Sequence, residues 1–476
     1  MLASHWINEQ RKCLLMRLHT HFIHATVLFL VLTCGLWFFI PHPIIPIAIG
    51  LTPFIILIII SQPILLGLLF IAFSFFRLHE ALPFLYSLNI PLMLSIGTTI
   101  TLAWHLGFNG KMRIFNCKEL FSFYVFFLFV TLGLPLSSNV GEAVSYYEQV
   151  YIKIGIMTPV LAWLLCHVDC YRRTLHMISL SGLIIALITI HNKVNGIGMV
   201  EETRVTVGRE LGSVLGDPND LALVLLFPFS FAISVAMTSG LSKKQRIFGL
   251  STAVAILIAI IGTQSRGGIL GILSVLTTVG WRCIKSKALL LTLGGILCTI
   301  LFVTAGINDR KSGGAMEEGL DASAKGRLYA WEAAFYMAID NPIFGVGLNN
   351  FYFNYFYYSS HWDGVNHAVH STWFGVLGET GFVGLVAFLT MILITYRSAH
   401  KTVNIITKYP ETYPPVMRAV SNGIYFGIIA FCVAGTFLTQ SFTWPLYILI
   451  ALTASISNFV KNIEHQRKNE CSSLYS

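Results

Sequence analysis

Residues 246–283 read RIFGLSTAVAILIAIIGTQSRGGILGILSVLTTVGWRC. Two apolar runs, each near the length that crosses a hydrocarbon core of about 30 Å, flank the short polar stretch Gly262 to Gly268. Lys243, Lys244 and Arg246 precede the first run, and Arg282, Lys285 and Lys287 follow the second. A hairpin of this kind returns to the face it left, and basic flanks mark that face as the cytoplasmic one. The turn then carries a single charge, Arg266, on the opposite side.

The same pattern repeats outward in both directions. Apolar runs lie at about 22–40, 43–60, 63–77, 82–106, 119–136, 151–168, 174–191, 219–238, 246–263, 267–284, 289–306, 371–396, 419–438 and 441–460. Ser61-Gln62-Pro63 barely separates the second from the third, so twelve to fourteen spans are expected. The chain has 476 residues, 55% of them hydrophobic and 11% charged. A soluble protein could not hide that much apolar surface. The fold class predicted is an all-α polytopic membrane protein. Its divisions are a cytoplasmic tail 1–21, spans across 22–306, a large outer loop 307–370, spans across 371–460 and a cytoplasmic tail 461–476. Arg11, Lys12 and Arg17 with no small-residue cleavage site predict an uncleaved signal-anchor.

The formal charge of +9 suggests nucleic acid only until its distribution is examined. The basic residues fall in short clusters between apolar runs, which is the pattern of membrane orientation and places both termini inside. No nucleic-acid partner is expected, and membrane lipids are. The cysteines fall in spans or on the inner side, so no disulfide is expected. Cys166, His167 and Cys170 lack a second ligand pair, so no metal is expected there. No P-loop, dinucleotide fingerprint or HExxH pattern occurs, which argues against a nucleotide cofactor or a nucleotide-linked donor.

Several outer residues stand out by position. Arg266 sits in a turn almost too short to reach water, so it snorkels to lipid phosphates or faces a wet cavity. Its flanking glycines, Gly267 and Gly268, would let a ligand approach the backbone. Arg327 opens a predicted amphipathic helix over Gly326 to Asp340, with Leu328, Trp331, Phe335 and Met337 or Ala338 on its apolar stripe. Its two readings are a surface ion pair with Glu332 or Asp340 and a functional cation. His370 stands where the loop re-enters the membrane, as a helix cap or as a base that titrates near neutrality. His367 is a weaker candidate for the same role. Asp217-Pro218-Asn219-Asp220 reads as a helix cap before it reads as a metal site. Glu379 is an acid within a span, which bonds neighbouring helices or faces a cavity.

In order, Ser265-Arg266-Gly267, Gly326-Arg327 with Trp331, Asn341-Pro342-Ile343-Phe344-Gly345-Val346-Gly347, His370-Ser371 and Gly378-Glu379-Thr380-Gly381-Phe382-Val383-Gly384 resemble the O-antigen ligase superfamily. That group holds O-antigen ligases, Wzy-type polymerases and O-linking protein oligosaccharyltransferases. The resemblance covers roughly residues 205 to 395 and extends to the segment around Arg209 and Asp217. It implies a GT-C-like membrane glycosyltransferase, independent of metal. Its donor would be a glycan on undecaprenyl diphosphate, and its acceptor lipid A–core or another glycan. It assigns catalytic roles to Arg266, Arg327 and His370; Arg209, His367 and Glu379 are weaker substrate-binding candidates. The one large outer loop favours the ligase over the polymerase, with protein glycosylation and then transport behind them. The expected site is bacterial, periplasmic and on the inner membrane.

Overall fold

The long helices start where a side chain satisfies the first free amides. Ser242 accepts a hydrogen bond from the amide of Gln245, whose side chain accepts one from the amide of Ser242 in return. Asp217 accepts from the amides of Asn219 and Asp220, with Pro218 at the first helical position. Ser265 and Ser371 accept from Gly268 and Phe374. Asp217 is thus the cap that the sequence suggested, and the cap before Thr372 is Ser371, not His370.

The structure is a computed structural model and describes residues 62–107, 114–304 and 322–474, with residues 31 and 35. The chain divides into two units, Met1–Pro63 and Ile64–Ser476, and the description concerns the second. The tail 1–21, the spans at 22–40 and 43–60 and the loop start 307–321 lie outside the described residues.

The helices in order are α1 (Pro63–Phe70, continued by a π-helical turn Ile71–Phe75), α2 (Leu78–Ala81), α3 (Ile90–Gly107), α4 (Lys118–Gly133), α5 (Val140–Tyr146), α6 (Ile152–Leu164) and α7 (Val168–Asn195). After a hairpin of β1 (Met199–Val200) and β2 (Arg204–Val205) come α8 (Pro218–Met237), α9 (Lys243–Thr263), α10 (Arg266–Cys283) and α11 (Lys287–Thr304). The chain continues with α12 (Ala322–Asp340), α13 (Phe351–Tyr358), α14 (Thr372–Lys408), α15 (Pro415–Ala434) and α16 (Trp444–Leu474). Among the described residues, eight helices are long and apolar enough to cross a membrane: α3, α4, α7, α8, α9, α14, α15 and α16. Pro63–Phe75 and Lys287–Leu301 are shorter apolar helices. The protein is an all-α polytopic membrane protein.

The centre is formed by α8 and α15, whose apolar windows are 78% and 72% buried against 28% for α3. α8 packs on α7, α9, α10 and α15.

The segment between α11 and α14 has a small core of its own. Ala330, Ala333, Ala334, Met337, Val346, Phe351, Tyr355 and Val369 are buried together. The stripe expected for α12 holds at Trp331, Met337 and Ala338 and is corrected at Leu328 and Phe335. Leu328 and Phe335 face outward with Tyr336 and Ile339, and the alanines face inward. The reason is close approach: a Cβ at Gly378 of α14 would stand 3.4 Å from the Cα of Ala334. Two helices this near need small residues between them, as membrane helices generally do.

α14 is broken at Gly381, whose φ of 69° and ψ of −173° suit glycine alone. The break leaves the carbonyls of Gly378 and Glu379 free, and the cap takes them. The amides of Val346 and Gly347 donate to them at 2.9 and 3.0 Å, and the amide of Phe382 donates to Pro342 O at 2.9 Å. The two glycine-rich motifs of the sequence are thus two halves of one backbone joint.

Candidate functional site

α12 is docked by Trp331. Its indole Nε1 donates to the carbonyl of Val369 at 3.1 Å, and its ring stacks on Phe374 at 5.0 Å. Arg327 lies one turn before Trp331 on the same helix face, so this anchor brings it to His370, the residue after Val369. The two are near enough for the Arg327 charge to depress the proton affinity of His370.

His370 itself is half-buried and has φ 46°, a left-handed conformation that costs a side-chain-bearing residue about 1 kcal/mol. Its neighbours leave it no alternative. Val369 is held by Trp331, and Thr372 is held on both sides, its amide donating to Gly435 O at 2.8 Å and its hydroxyl to Leu438 O at 2.6 Å. Burial lowers the His370 pKa below 6.5, Arg327 and His367 lower it further, and Asp217 opposes them. The imidazole is therefore neutral near pH 7. Strain of this kind concentrates at working sites.

Asp217 brings the start of α8 to the same place, and Arg266 enters through α8. The hydroxyl of Ser265 donates to Asn219 Oδ1 at 3.0 Å, which fastens the start of α10 beside Asp217–Asn219. Arg266 is half-buried at the first position of α10. What its flanking glycines admit are neighbouring elements of the fold. A Cβ at Gly268 would meet Ala222 of α8 at 2.7 Å, and one at Gly267 would meet Phe437 at 3.3 Å.

The weaker candidates have other partners. Glu379 is buried in the cap joint and accepts from the amides of Asn349 at 3.0 Å and Phe351 at 3.4 Å. His367 pairs with exposed Asp363 at 3.0 Å and sets its ring edge against Tyr355. Asp363 is held below the usual carboxylate range by that bond. Arg209 is exposed on a short 3-10 turn, Arg209–Leu211, between left-handed Gly208 and Gly212.

Sequence reasoning missed two arginines. Arg204 is buried on β2, with Nε on Thr263 O at 3.2 Å and Nη2 on Asn219 Oδ1 at 2.8 Å. It ties the hairpin to the ends of α8 and α9. Arg77, left-handed at φ 49°, pairs with buried Glu80. It rims a cavity of about 300 Å³ that also holds His79, Lys153, Gln149 and Gln440 over an apolar floor of Phe70, Phe73, Phe75, Leu92 and Trp444. Gln440 donates to Asp220 Oδ1 at 2.6 Å, three residues from Asp217, so this cavity adjoins the His370 group through α8. A polar residue just past an apolar run was the available signal at Arg77, and the tight turn after it concealed the cavity.

What the structure brings together is a strained imidazole that feels the charges of Arg327 and Asp217. It can accept a proton from a hydroxyl and neutralise an anion. No curated protein matches the chain. Residues 251–389, which run from α9 through the segment between α11 and α14 to α14 beyond its break, match the O-antigen ligase family, which supports the O-antigen ligase-type superfamily for this part of the chain.

Proposed function

We propose that this protein is a metal-independent glycosyltransferase of the bacterial inner membrane. It moves a glycan from undecaprenyl diphosphate to an acceptor hydroxyl, as an O-antigen ligase acting on lipid A–core. Both termini lie in the cytoplasm and the cap faces the periplasm, because the basic loops then fall inside. The observation that carries the reading is His370, held strained and neutral beside Arg327 and Asp217.

In the reaction, the acceptor oxygen attacks the anomeric carbon while its proton passes to the His370 imidazole. The bond from that carbon to the diphosphate oxygen breaks, and the leaving diphosphate keeps the electron pair. Arg266 and Arg327 stabilise its developing charge. In-line displacement inverts the anomeric centre. The carrier lipid enters the cavity rimmed by Arg77 and Lys153, whose aromatic floor suits an isoprenoid. Arg209 and His367 lie at the exposed margin, where a large acceptor arrives.

The test is the glycan profile of cells in which His370→Ala replaces the wild type, read in the core-linked and carrier-linked pools. Full-length polymer accumulating on the carrier with bare core is the result expected. Single repeat units on core without long chains would assign the protein to polymerisation. An unchanged profile in both pools would overturn the reading.

A further inference from the structure

A second polar cavity opens at the far end of the bundle. Lys401 lies roughly 30 Å beyond the break at Gly381, at 1.5 Å per residue of α14, so the cavity is remote from His370. Its volume is about 740 Å³, and α4, α14 and α16 enclose it. Four lysines line it: Lys118 from α4, Lys401 from α14, and Lys461 and Lys468 from α16. Among the described residues none of the four has an ion-pair partner. The four lysines outnumber the two carboxylates that line the cavity with them, and each carboxylate has a partner. Glu464 pairs with Arg467 at 3.4 Å, and that guanidinium lies over the Tyr409 ring. Glu119 is buried and accepts from the hydroxyl of Ser457 at 3.1 Å.

Lysines beside helix ends are ordinary on the cytoplasmic side. Their convergence on one cavity, from three helices far apart in sequence, is not explained by orientation. Like charges gathered there repel one another, and an anion with several oxygens removes the repulsion. The surface beside Lys118 says which kind of anion. Phe121, Val125, Leu128 and Leu132 continue from Lys118 along one face of α4, and all four are exposed. A phosphate among the lysines would place its acyl chains along that stripe.

We propose that this cavity is a headgroup site for an anionic, phosphate-bearing membrane lipid, with room and charge for two phosphates. Basic pockets between transmembrane helices take such headgroups. The site is independent of the transfer reaction and stands or falls separately from it.

The experiment uses the purified full-length protein, delipidated in detergent and titrated with cardiolipin, phosphatidylglycerol or phosphatidylcholine. Bound lipid is counted by native mass spectrometry. Cardiolipin is expected to bind more tightly than phosphatidylglycerol, and phosphatidylcholine to bind weakly. The exposed pair Lys401→Gln and Lys461→Gln should together weaken cardiolipin about twenty-five-fold, at about a factor of five per lysine. Lys401→Arg with Lys461→Arg should restore it. Equal retention of phosphatidylcholine, or unchanged binding in the Gln pair, would overturn the site. Displacement of cardiolipin by millimolar inorganic pyrophosphate, with equal thermal stabilisation, would reassign the lysines to a soluble phosphate and overturn the lipid.

Discussion

In the proposed transfer the chemistry falls on His370, whose ring feels burial and neighbouring charges together. Burial and Arg327 push its pKa down, and Asp217 pushes it up. A base must be unprotonated, so transfer should persist below pH 6.5 and fail only as the ring finally protonates. Arg327→Gln removes a depressing charge, so the acidic limb of the pH–rate profile should move to higher pH. Asp217→Asn keeps the cap and removes the opposing charge, so the limb should move to lower pH. Opposite displacements of the two limbs are the signature; movement of both in one direction would refute the assignment. Arg266→Ala should cost about a hundredfold or more in turnover, the usual size for loss of an anion-stabilising donor. His370→Asn, which tolerates the left-handed backbone, should abolish transfer without loss of folding. His370 and Arg327 stood out in the sequence as candidates because a titratable residue at a membrane edge is conspicuous. Arg204 and Arg77 were not, because their importance lies in what they reach across the fold.

At the scale of elements, the joint between the broken α14 and the cap decides whether Arg327 and His370 meet. A methyl at Gly381 would stand 2.6 Å from Pro342 O, and one at Gly345 would stand 2.4 Å from Gly378 O. Gly381→Ala should therefore release the cap, read as protease cleavage between residues 341 and 371 in a protein still inserted in the membrane. Glu379→Ala strands two amides and should cost about 3 kcal/mol of stability, whereas Glu379→Gln retains one acceptor oxygen and should cost less. Thermal unfolding in detergent distinguishes them. Ala334→Leu tests the close approach of α12 to α14: it should lower activity by displacing α12, while Phe335→Leu, on the exposed face, should be near neutral. The existence of α12 and its end at Asn341-Pro342 followed from periodicity and proline. Its buried face did so only in part: Trp331, Met337 and Ala338 turn inward, Leu328 and Phe335 outward. Hydrophobicity favoured the large residues, and the tertiary requirement for short side chains against Gly378 reversed the choice.

For the whole molecule, the two polar cavities lie at opposite ends of α16, the first at its start around Trp444 and the second along its later turns from Ser457 to Asn469. A fluorescent reporter fused after Ser476 should be active in the cytoplasm, and an export-dependent reporter at the same position should be silent; the reverse pattern would invert the topology. Apolar runs determined by themselves that the chain is a bundle of membrane helices, because any such segment must bury its backbone polar groups in helix wherever it lies in lipid. Basic clusters set the expected direction of each span. The Asp217 cap marked where α8 starts, because capping is local. What the sequence could not decide was which of its separated motifs meet. That depended on a break at Gly381 exposing two carbonyls, on Trp331 reaching Val369, and on Ser265 reaching Asn219. These are contacts between residues 32 to 46 positions apart, and only the packing of helices sets the distances across them.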